Sequence, residues 1–468
     1  MKAIGIDIGT TTVCGIVLDM QTGEVAEVCT LDNDSGISGK PYERLQDAQR
    51  IWGLVQGMYH QFLQHFSDIC CIGLTGQMHG IVYTDAQGCA VSPLYTWQDE
   101  RGNETDQATG QTYVQQLSDR TGFAMASGFG LTTHYYQTIH HQIPEQAVHF
   151  CAIHDYIGMR LAGRREPLVT SSTAASFGCF DIKNSRFDTD AIKRAGMEES
   201  YLPQCQDGCI LLGYTPQGIA VSAGVGDNQA SVIGSVKDVQ KSVLINVGTG
   251  AQVSVGADHW IDAKHVELRP VTGDAYLLVG SSLCGGRAYA AMEQFLRRTV
   301  MLMTGEDPGS LYQKMDEILA QREAAAKASG DAAGSGAAGG DSSLQFRTSF
   351  CGTREEPELT GCIGGLTLLN FTPEEFIYGV LAGMAQELTG FYEQMRGQGA
   401  ARPQYLIGSG NGLRKNRHLQ KIFEDAFGMR MQIPVHKEEA SYGAALYAMT
   451  ACGQCRTLRE AQELIRYL

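Results

Sequence analysis

Two stretches of this chain, one at the start and one near the middle, follow the same plan. Residues 4–19 (IGIDIGTTTVCGIVLD) alternate apolar residues with glycine and aspartate, bend at Gly9 and resume an apolar run. Residues 243–256 (VLINVGTGAQVSVG) repeat this order, with Asn246 in the place of Asp7. Such patterns predict buried β-hairpins. The repeat therefore predicts two related α/β halves that face each other, each opening on a hairpin.

The first turn carries residues suited to binding phosphate. Glycine lets backbone N–H groups approach an anion closely, and the adjacent Thr10, Thr11 and Thr12 add hydroxyl donors. Asp7 would place a carboxylate beside a magnesium ion that accompanies the phosphate, since Mg²⁺ favours one or two carboxylates with water and phosphate oxygens. The alternative for this stretch alone is an ordinary edge hairpin, because the motif lacks the lysine of a P-loop.

Length and charge limit the classes of function. A chain of 468 residues exceeds one typical core, and we place two domains at 1–235 and 236–468. A net charge of −15 argues against nucleic-acid and anionic membrane partners and favours a small molecule. No apolar run has the length of a membrane span and no signal peptide precedes the first strand, so we expect a cytoplasmic protein. The 14 cysteines are typical of thiols in a reducing compartment.

Polar residues interrupt an otherwise apolar strand at residues 73–83 (GLTGQMHGIVY). Gln77 and His79 supply hydrogen-bonding groups there, although a histidine in apolar surroundings can equally be a core residue. Residues 97–101 (WQDER) then add an aromatic plane, carboxylates and a guanidinium. Aromatic faces and carboxylates together are a typical sugar-binding combination.

Residues 220–230 (AVSAGVGDNQA) read as a strand ending in glycines, with Asp227 at the start of a helix. Asp227 is either a helix N-cap or a general base exposed where glycines leave room for substrate, and the sequence leaves both open. Residues 405–412 (YLIGSGNG) form a strand that runs into glycines. Such a turn can admit an adenosine against the backbone.

Three further segments carry structural expectations. Residues 321–343 are rich in alanine, glycine and serine, which predicts a flexible surface insertion without function. Residues 371–395 predict a helix with Thr372 as N-cap and Pro373 at its first position. Residues 438–448 (EEASYGAALYA) predict a helix whose small residues let it pack closely on a sheet.

In this order, the motifs resemble the FGGY carbohydrate kinases over essentially the whole chain. The family's first phosphate motif matches residues 5–12, its second matches 246–250, and its adenosine motif resembles 406–416. The resemblance implies an α/β fold of two actin-like ATPase (ribonuclease H-like) domains with an interdomain active-site cleft. Gly379 and Ala382 depart from the family's second signature, which weakens a subfamily assignment.

Within the family, residues 97–99, 121–123, 128–130, 153–156, 174–176, 226–227 and 229–231 are similar to sedoheptulokinases and favour a seven-carbon ketose over xylulose. Glycerol is disfavoured, because glycerol kinases carry arginine and glutamate where Met78 and His79 stand. The resemblance implies transfer of phosphate from ATP, with Mg²⁺, to a terminal primary hydroxyl such as O7 of sedoheptulose. The alternatives are xylulokinase or another ketose or polyol kinase and, more remotely, a non-catalytic actin-like nucleotide switch.

The resemblance also implies residue roles. Asp227 falls at the family's catalytic base, and Asp7 and Asp227 are implied near the metal. The implied sugar-binding residues are Gln77, Met78, His79, Trp97, Asp99 and Asn228. The implied nucleotide-binding residues are Gly9, Thr10, Thr11, Gly248, Thr249, Gly408, Gly410 and Asn411. The expected partners are the sugar and ATP, and a homodimer is compatible with the sequence.

Overall fold

The first half of the chain is built on a mixed sheet, seen in a computed structural model that describes residues 1–273, 275–328, 344–353, 356 and 358–468. Its strands are β1 (Lys2–Ile8), β2 (Thr12–Asp19), β3 (Val25–Asp32), β4 (Ile69–Gly76), β5 (Leu211–Tyr214), β6 (Ala220–Ser222) and β7 (Val225–Gly226). They lie in the order β5-β6-β4-β1-β2-β3, and β7 also pairs with β4. Strands β1, β2 and β3 are antiparallel, whereas β4 is parallel to β1.

The second half repeats this arrangement. Its strands are β8 (Ser242–Val247), β9 (Ala251–Ala257), β10 (Glu267–Thr272), β11 (Ala275–Ser282), β12 (Tyr405–Ser409) and β13 (Met431–Gln432). They lie in the order β10-β11-β9-β8-β12-β13. Strands β8, β9 and β11 are antiparallel, whereas β12 is parallel to β8. In both sheets the first strand of the hairpin, β1 or β8, thus pairs with an antiparallel strand on one side and a parallel strand on the other. This arrangement confirms the predicted repeat.

Helices cover the sheets and form the connections. In chain order they are α1 (Ala48–His65), α2 (Tyr113–Thr121), α3 (Gly130–Ile139), α4 (Ile153–Leu161), α5 (Ser171–Ser176), α6 (Thr189–Arg194), α7 (Asp227–Ser235), α8 (Gly286–Thr304), α9 (Tyr312–Ala328), α10 (Pro373–Gly397), α11 (Asn411–Lys415), α12 (Arg417–Phe427), α13 (Glu439–Ala451) and α14 (Leu458–Gln462). Short strands outside the main sheets are Gly36–Ile37, Leu45–Gln46, Val82–Thr84, Leu94–Tyr95, His149–Cys151, Leu168–Val169, Phe180–Asp181, Arg186–Phe187, Gln204–Cys205, Gln345–Arg347 and Cys362–Gly364.

Local sequence explains where two of the long helices begin. The side chain of Asp47 accepts hydrogen bonds from the backbone of Gln49 and Arg50 and caps α1. Thr372 caps α10 and Pro373 opens it, as predicted. The expectation of a flexible segment over 321–343 is wrong for residues 321–328, which continue helix α9. Residues 329–343 lie outside the described residues.

Helix α13 comes from the second half of the sequence but packs on the first sheet. A Cβ at Gly5 in β1 would lie 1.8 Å from the carbonyl oxygen of Ser441, and one at Gly73 in β4 would lie 1.8 Å from that of Ala444. Only glycine permits such an approach of backbone to backbone. The predicted close packing of this helix is therefore confirmed, and it connects the two halves.

Another face of α13 packs equally closely on α7. A Cβ at Gly443 would lie 1.9 Å from the carbonyl oxygen of Ala230 in α7. Helix α7 also carries Asp227 at its first position, so the contact of α13 fixes the helix that positions this carboxylate. Among the described residues, no helix combines the length and apolar character required to span a membrane.

Candidate active site

A cavity of about 380 Å³ lies between the two halves. The first half contributes Asp7, Met78, His79, Trp97, Asp227, Asn228 and Ser231. The second half contributes Leu244, Asn246, Gln252, Ser254 and Arg269, together with Ala440 of α13. Strands β1 and β8 both run towards it, since Asp7 and Asn246 lie near their ends. A cleft of this size between two domains is a typical small-molecule site.

Asp7 is held on the central strand of the first sheet, next to Cys14 of β2 and Thr75 of β4. Burial and the nearby charges of Asp227 and Glu438 raise the pKa of Asp7 to about 7. Its Oδ1 is buried and has no hydrogen-bond partner within the described part of the chain. Such an unpaired carboxylate oxygen is costly to bury, so the site is suited to a cation.

The donor set fits magnesium rather than a metal held by protein alone. Asp7 and Asp227 both line the cavity. Across the described ranges, no group of three or more histidine, cysteine, aspartate or glutamate side chains is placed to hold a metal ion. Mg²⁺ needs only one or two carboxylates when phosphate oxygens and water complete its coordination. The residues present therefore fit a magnesium ion that arrives with a nucleotide.

Asp227 opens helix α7 directly after β7. Gly226 occupies the N-cap position and no side chain caps the helix, so Asp227 is not the N-cap that the sequence left open. The backbone N–H of Asn228 donates to Oδ1 of Asp227 at 2.7 Å. Burial raises the pKa of Asp227, and the Asn228 N–H and the charge of Arg269 oppose that rise. A cavity carboxylate with a raised pKa is suited to accept a proton.

His79 is held rigidly beside the cavity. Its backbone N–H donates to Oγ of Ser176 at 3.1 Å. Its ring Nδ1 lies 2.8 Å from the carbonyl oxygen of Ser176, and a carbonyl only accepts, so Nδ1 carries the hydrogen. The ring stacks on Phe129 at 4.8 Å between centroids. Helix α5, which provides Ser176, thus fixes the orientation of the imidazole.

Trp97 and the first turn are connected directly. The indole Nε1 of Trp97 donates to Oγ1 of Thr10 at 3.0 Å, while 47% of the tryptophan remains exposed. Gln77 is buried and does not line the cavity. Its Nε2 donates to Oε1 of Gln46 at 2.7 Å, and Nε2 of Gln46 donates to the carbonyl oxygen of Thr10 at 2.7 Å. Gln77 therefore supports the first turn through Gln46 rather than facing the cavity.

Asp99 is also absent from the residues that line the cavity. It is buried, and its Oδ1 accepts a hydrogen bond from Nε of Arg101 at 2.6 Å. Its Oδ2 accepts from the backbone N–H of Arg44 at 3.0 Å. Because both oxygens are engaged, Asp99 anchors the loop that presents Trp97 in this structure. Gln77 and Asp99 were predicted to contact the sugar, but neither lines the cavity.

The predicted nucleotide-binding residues divide between the two hairpin turns and the start of α11. In the first turn, the N–H of Gly9 donates to the carbonyl oxygen of Thr12 at 2.9 Å, and Thr11 is exposed. In the second turn, the N–H of Gly248 donates to the carbonyl oxygen of Gly250 at 3.0 Å, and Thr249 is exposed. The exposed threonines leave hydroxyl groups at the tip of each turn.

The strand that opens the predicted adenosine motif lies beside the second turn. Gly408 of β12 pairs with Ile245 of β8, and Gly410 precedes α11, which begins at Asn411. Gly410 has a φ of 83°, and a Cβ there would lie 2.5 Å from the carbonyl oxygen of Val247. Glycine is therefore required where α11 approaches the end of β8.

Three polar cavity residues of the second sheet, Gln252, Ser254 and Arg269, were not singled out as site residues from the sequence. Oε1 of Gln252 accepts a hydrogen bond from Nδ2 of Asn228 at 2.7 Å, which joins the two halves next to Asp227. Gln252 and Ser254 alternate with buried Val253 and Val255. That alternation was the available signal, since it predicts a strand face exposed to a polar cavity.

Two family models together match most of the chain. Residues 2–245 match the model of the FGGY family of carbohydrate kinases, N-terminal domain, and residues 243–452 match that of its C-terminal domain. The chain is 27% identical to the sedoheptulokinase of Mus musculus over 95% of this chain and 96% of that protein. It is 23% identical to the xylulose kinase of Staphylococcus xylosus over 98% of this chain and 93% of that protein.

A solved structure shows the same fold. The ligand-bound xylulose kinase from Lactobacillus acidophilus matches with a TM-score of 0.82 at 19% identity, covering 100% of this chain and 92% of that chain. The xylulose kinase from Rhodospirillum rubrum matches with a TM-score of 0.82 at 20% identity, covering 100% of this chain and 93% of that chain. These matches confirm the predicted α/β fold class of two actin-like (ribonuclease H-like) domains.

Proposed function

The chain belongs to the FGGY family of carbohydrate kinases, and we propose that it phosphorylates sedoheptulose at O7, a terminal primary hydroxyl. As a member of the family it is an ATP-dependent carbohydrate kinase. The choice of sedoheptulose is supported by the likeness to the sedoheptulokinases of Mus musculus and Homo sapiens, at 27% and 25% identity. The observation that carries the proposal is the cavity with Asp7 and Asp227 beside His79 and Trp97.

In the proposed reaction, Asp227 is the general base. A carboxylate oxygen of Asp227 accepts the proton of the terminal hydroxyl as the hydroxyl oxygen bonds to the γ-phosphorus of ATP. The bond from that phosphorus to the oxygen of the β-phosphate breaks, and ADP leaves. Phosphoryl transfer of this kind depends mainly on positioning and charge stabilisation. The raised pKa of Asp227 supports the assignment, because it makes the carboxylate a better proton acceptor.

The two hairpin turns would hold the nucleotide phosphates. In this proposal Thr10 and Thr11 donate from the first turn and Thr249 donates from the second. Gly9 and Gly248, whose N–H groups close the turns, leave room for the phosphates to approach. Gly408, Gly410 and Asn411 lie beside the second turn, where they would contact the nucleoside. Asp7, with Asp227 nearby, would hold Mg²⁺, which when bound neutralises charge on the phosphate oxygens.

The sugar would lie against residues of the first half. Met78, His79, Trp97 and Asn228 line the cavity and would orient the ketose. The tryptophan offers an apolar face to C–H groups, and the imidazole and amide offer polar partners for hydroxyls. Gln77 and Asp99 would act indirectly, because they hold the first turn and the Trp97 loop in place.

The proposal is tested by measuring ADP release against sedoheptulose, xylulose, ribulose, fructose and glycerol. We expect turnover to require a sugar and kcat/KM to be highest for sedoheptulose. A higher kcat/KM for xylulose would contradict the assignment of substrate and favour the nearest alternative. Slow ATP turnover that is indifferent to every sugar would contradict the kinase and favour a nucleotide switch.

A further inference from the structure

Arg269 is the one positively charged side chain among the described residues that line the catalytic cavity. It belongs to β10, the edge strand of the second sheet, and its side chain is only 11% exposed. None of the phosphate, adenosine or sugar motifs includes it. A largely buried guanidinium that faces a cavity is a strong source of hydrogen bonds.

Strand register places Arg269 far from the phosphate turns. Gly256 of β9 pairs with Leu277 of β11, and Leu277 pairs with Arg269. Gly256 lies six residues beyond Gly250 of the second turn, which corresponds to about 20 Å along a strand at about 3.3 Å per residue. Strand β11 also lies between β9 and β10, which adds two strand spacings to this separation. The charge of the guanidinium nevertheless reaches Asp227 and lowers the pKa of that carboxyl, so Arg269 is placed for a sugar bound at Asp227 rather than for the nucleotide phosphates at the turns.

The guanidinium is held in position by Glu267. Nε and Nη2 of Arg269 both donate to Oε2 of Glu267, at 2.9 and 2.6 Å. A guanidinium carries five N–H donors, and this contact uses two of them. The next residue, Pro270, accepts a hydrogen bond from Nε2 of Gln229 at 3.1 Å. Arg269 is thus anchored both to its own strand and to the helix that begins at Asp227.

The ion pair also stands at a boundary between two cavities. Glu267 lines a neighbouring cavity of about 470 Å³ together with His265, Ser281 and Gln394. Arg269 lines the catalytic cavity. The pair therefore lies between the two cavities, with the guanidinium on the side of the catalytic cavity, where a bound sugar would meet it.

We propose that Arg269 is a sugar-binding residue that selects substrates by chain length. Its guanidinium donates hydrogen bonds to hydroxyl oxygens of the ketose at the end remote from the phosphorylated carbon. A five-carbon ketose whose terminal hydroxyl lies at Asp227 is two carbons shorter and leaves these donors without an acceptor. Sites built to hydrogen-bond a substrate hydroxyl discriminate strongly against analogues that lack it. This inference rests on the proposed function, because it assumes that the substrate is a ketose.

The test compares Arg269→Gln with the wild type on sedoheptulose and on xylulose. We expect the KM for sedoheptulose to rise at least tenfold, the KM for ATP to stay within twofold and the KM for xylulose to change less than threefold. Arg269→Lys keeps the charge without the planar fork and should restore part of the loss. Arg297→Gln is the matched control, because it removes an ion pair with Asp307 outside the cavity.

A second readout does not depend on turnover. Sedoheptulose binding without ATP can be followed by tryptophan fluorescence, to which Trp97 in the cavity contributes, and Arg269→Gln should raise the sugar Kd by the same factor as the KM. An unchanged sugar Kd, or an equal loss for both sugars, would overturn the proposal. If the wild type uses another sugar and not sedoheptulose, the proposed function fails. The variant then tests Arg269 on that sugar, where an unchanged KM would overturn its role.

Discussion

Two opposing influences act on the pKa of Asp227. Burial disfavours its charged form and raises its pKa, whereas the N–H of Asn228 and the charge of Arg269 favour the carboxylate. Its position at the first residue of α7 adds the positive end of the helix dipole. The net effect is a raised pKa, which makes the carboxylate a better proton acceptor, as a general base requires.

Replacement Asp227→Asn tests this role, because asparagine keeps the shape but cannot accept the proton. We expect kcat for sugar phosphorylation to fall by about 10²–10⁴-fold. Binding of ATP, measured by calorimetry, should persist, since the hairpin turns would supply most of its contacts. The matched control is Asp258→Asn, at an exposed aspartate paired with His259. A variant that phosphorylates sugar at the wild-type rate would show that another group is the base.

At the residue scale, local pattern predicted the carboxylates better than the sugar contacts. Asp7 and Asp227 both line the cavity, as predicted. Asp7 lies near the end of a strand and Asp227 lies at a strand-to-helix junction, and the sequence reveals where such strands end. Gln77 was expected at the cavity, but it is buried behind the first turn. Arg269 was missed, because no motif includes it and only the association of the two halves brings it into the same cavity as Asp227. Which face a side chain takes depends on these long-range contacts.

At the element scale, the close approach of α13 to the first sheet depends on two glycines. Gly5 and Gly73 lie on the neighbouring strands β1 and β4, with the backbone of α13 directly over both. Any side chain at either position would push the helix off the sheet. Since α13 also packs on α7, the displacement would reach the helix that carries Asp227.

Gly5→Ala should destabilise the protein by about 1–3 kcal/mol, the usual cost of an overpacked core, because its Cβ has no space below Ser441. The free energy of unfolding from urea denaturation measures this effect. The control is Gly53→Ala in α1, where a Cβ would meet no atom within 4 Å. There alanine should stabilise the helix by about 0.5–1 kcal/mol. Equal effects of the two substitutions would contradict the packing account.

Elements with strong local signals were predicted well. The paired hairpins, the cap of α10 and the small-residue helix α13 all follow from periodicity, capping and residue size. The sequence did not indicate that α13 would cover the sheet of the other half. It also suggested flexibility at residues 321–328, where a run rich in alanine instead extends α9. Alanine favours helix, so composition alone was a poor guide there.

At the scale of the whole molecule, the two halves are joined around the cavity by direct polar contacts. Nδ2 of Asn228 donates to Gln252, and the N–H of Gly273 donates to Oδ1 of Asp207 at 3.0 Å. On the surface, Nζ of Lys183 lies 5.3 Å from the ring centroid of Trp260. Trp97 lines the cavity and is 47% exposed, so the cavity reaches solvent. In the proposed reaction the halves would close over the bound substrates. Closure would exclude water and limit wasteful hydrolysis of ATP.

The position of the phosphate on the product tests phosphoryl transfer in this cleft most directly. The protein is incubated with MgATP and sedoheptulose, and the product is examined by phosphorus NMR with proton coupling. We predict one sugar phosphate for each ADP formed, with the phosphorus coupled to the methylene protons of the terminal carbon C7. ADP without a sugar ester, or an ester at another carbon, C1 included, would contradict transfer to O7.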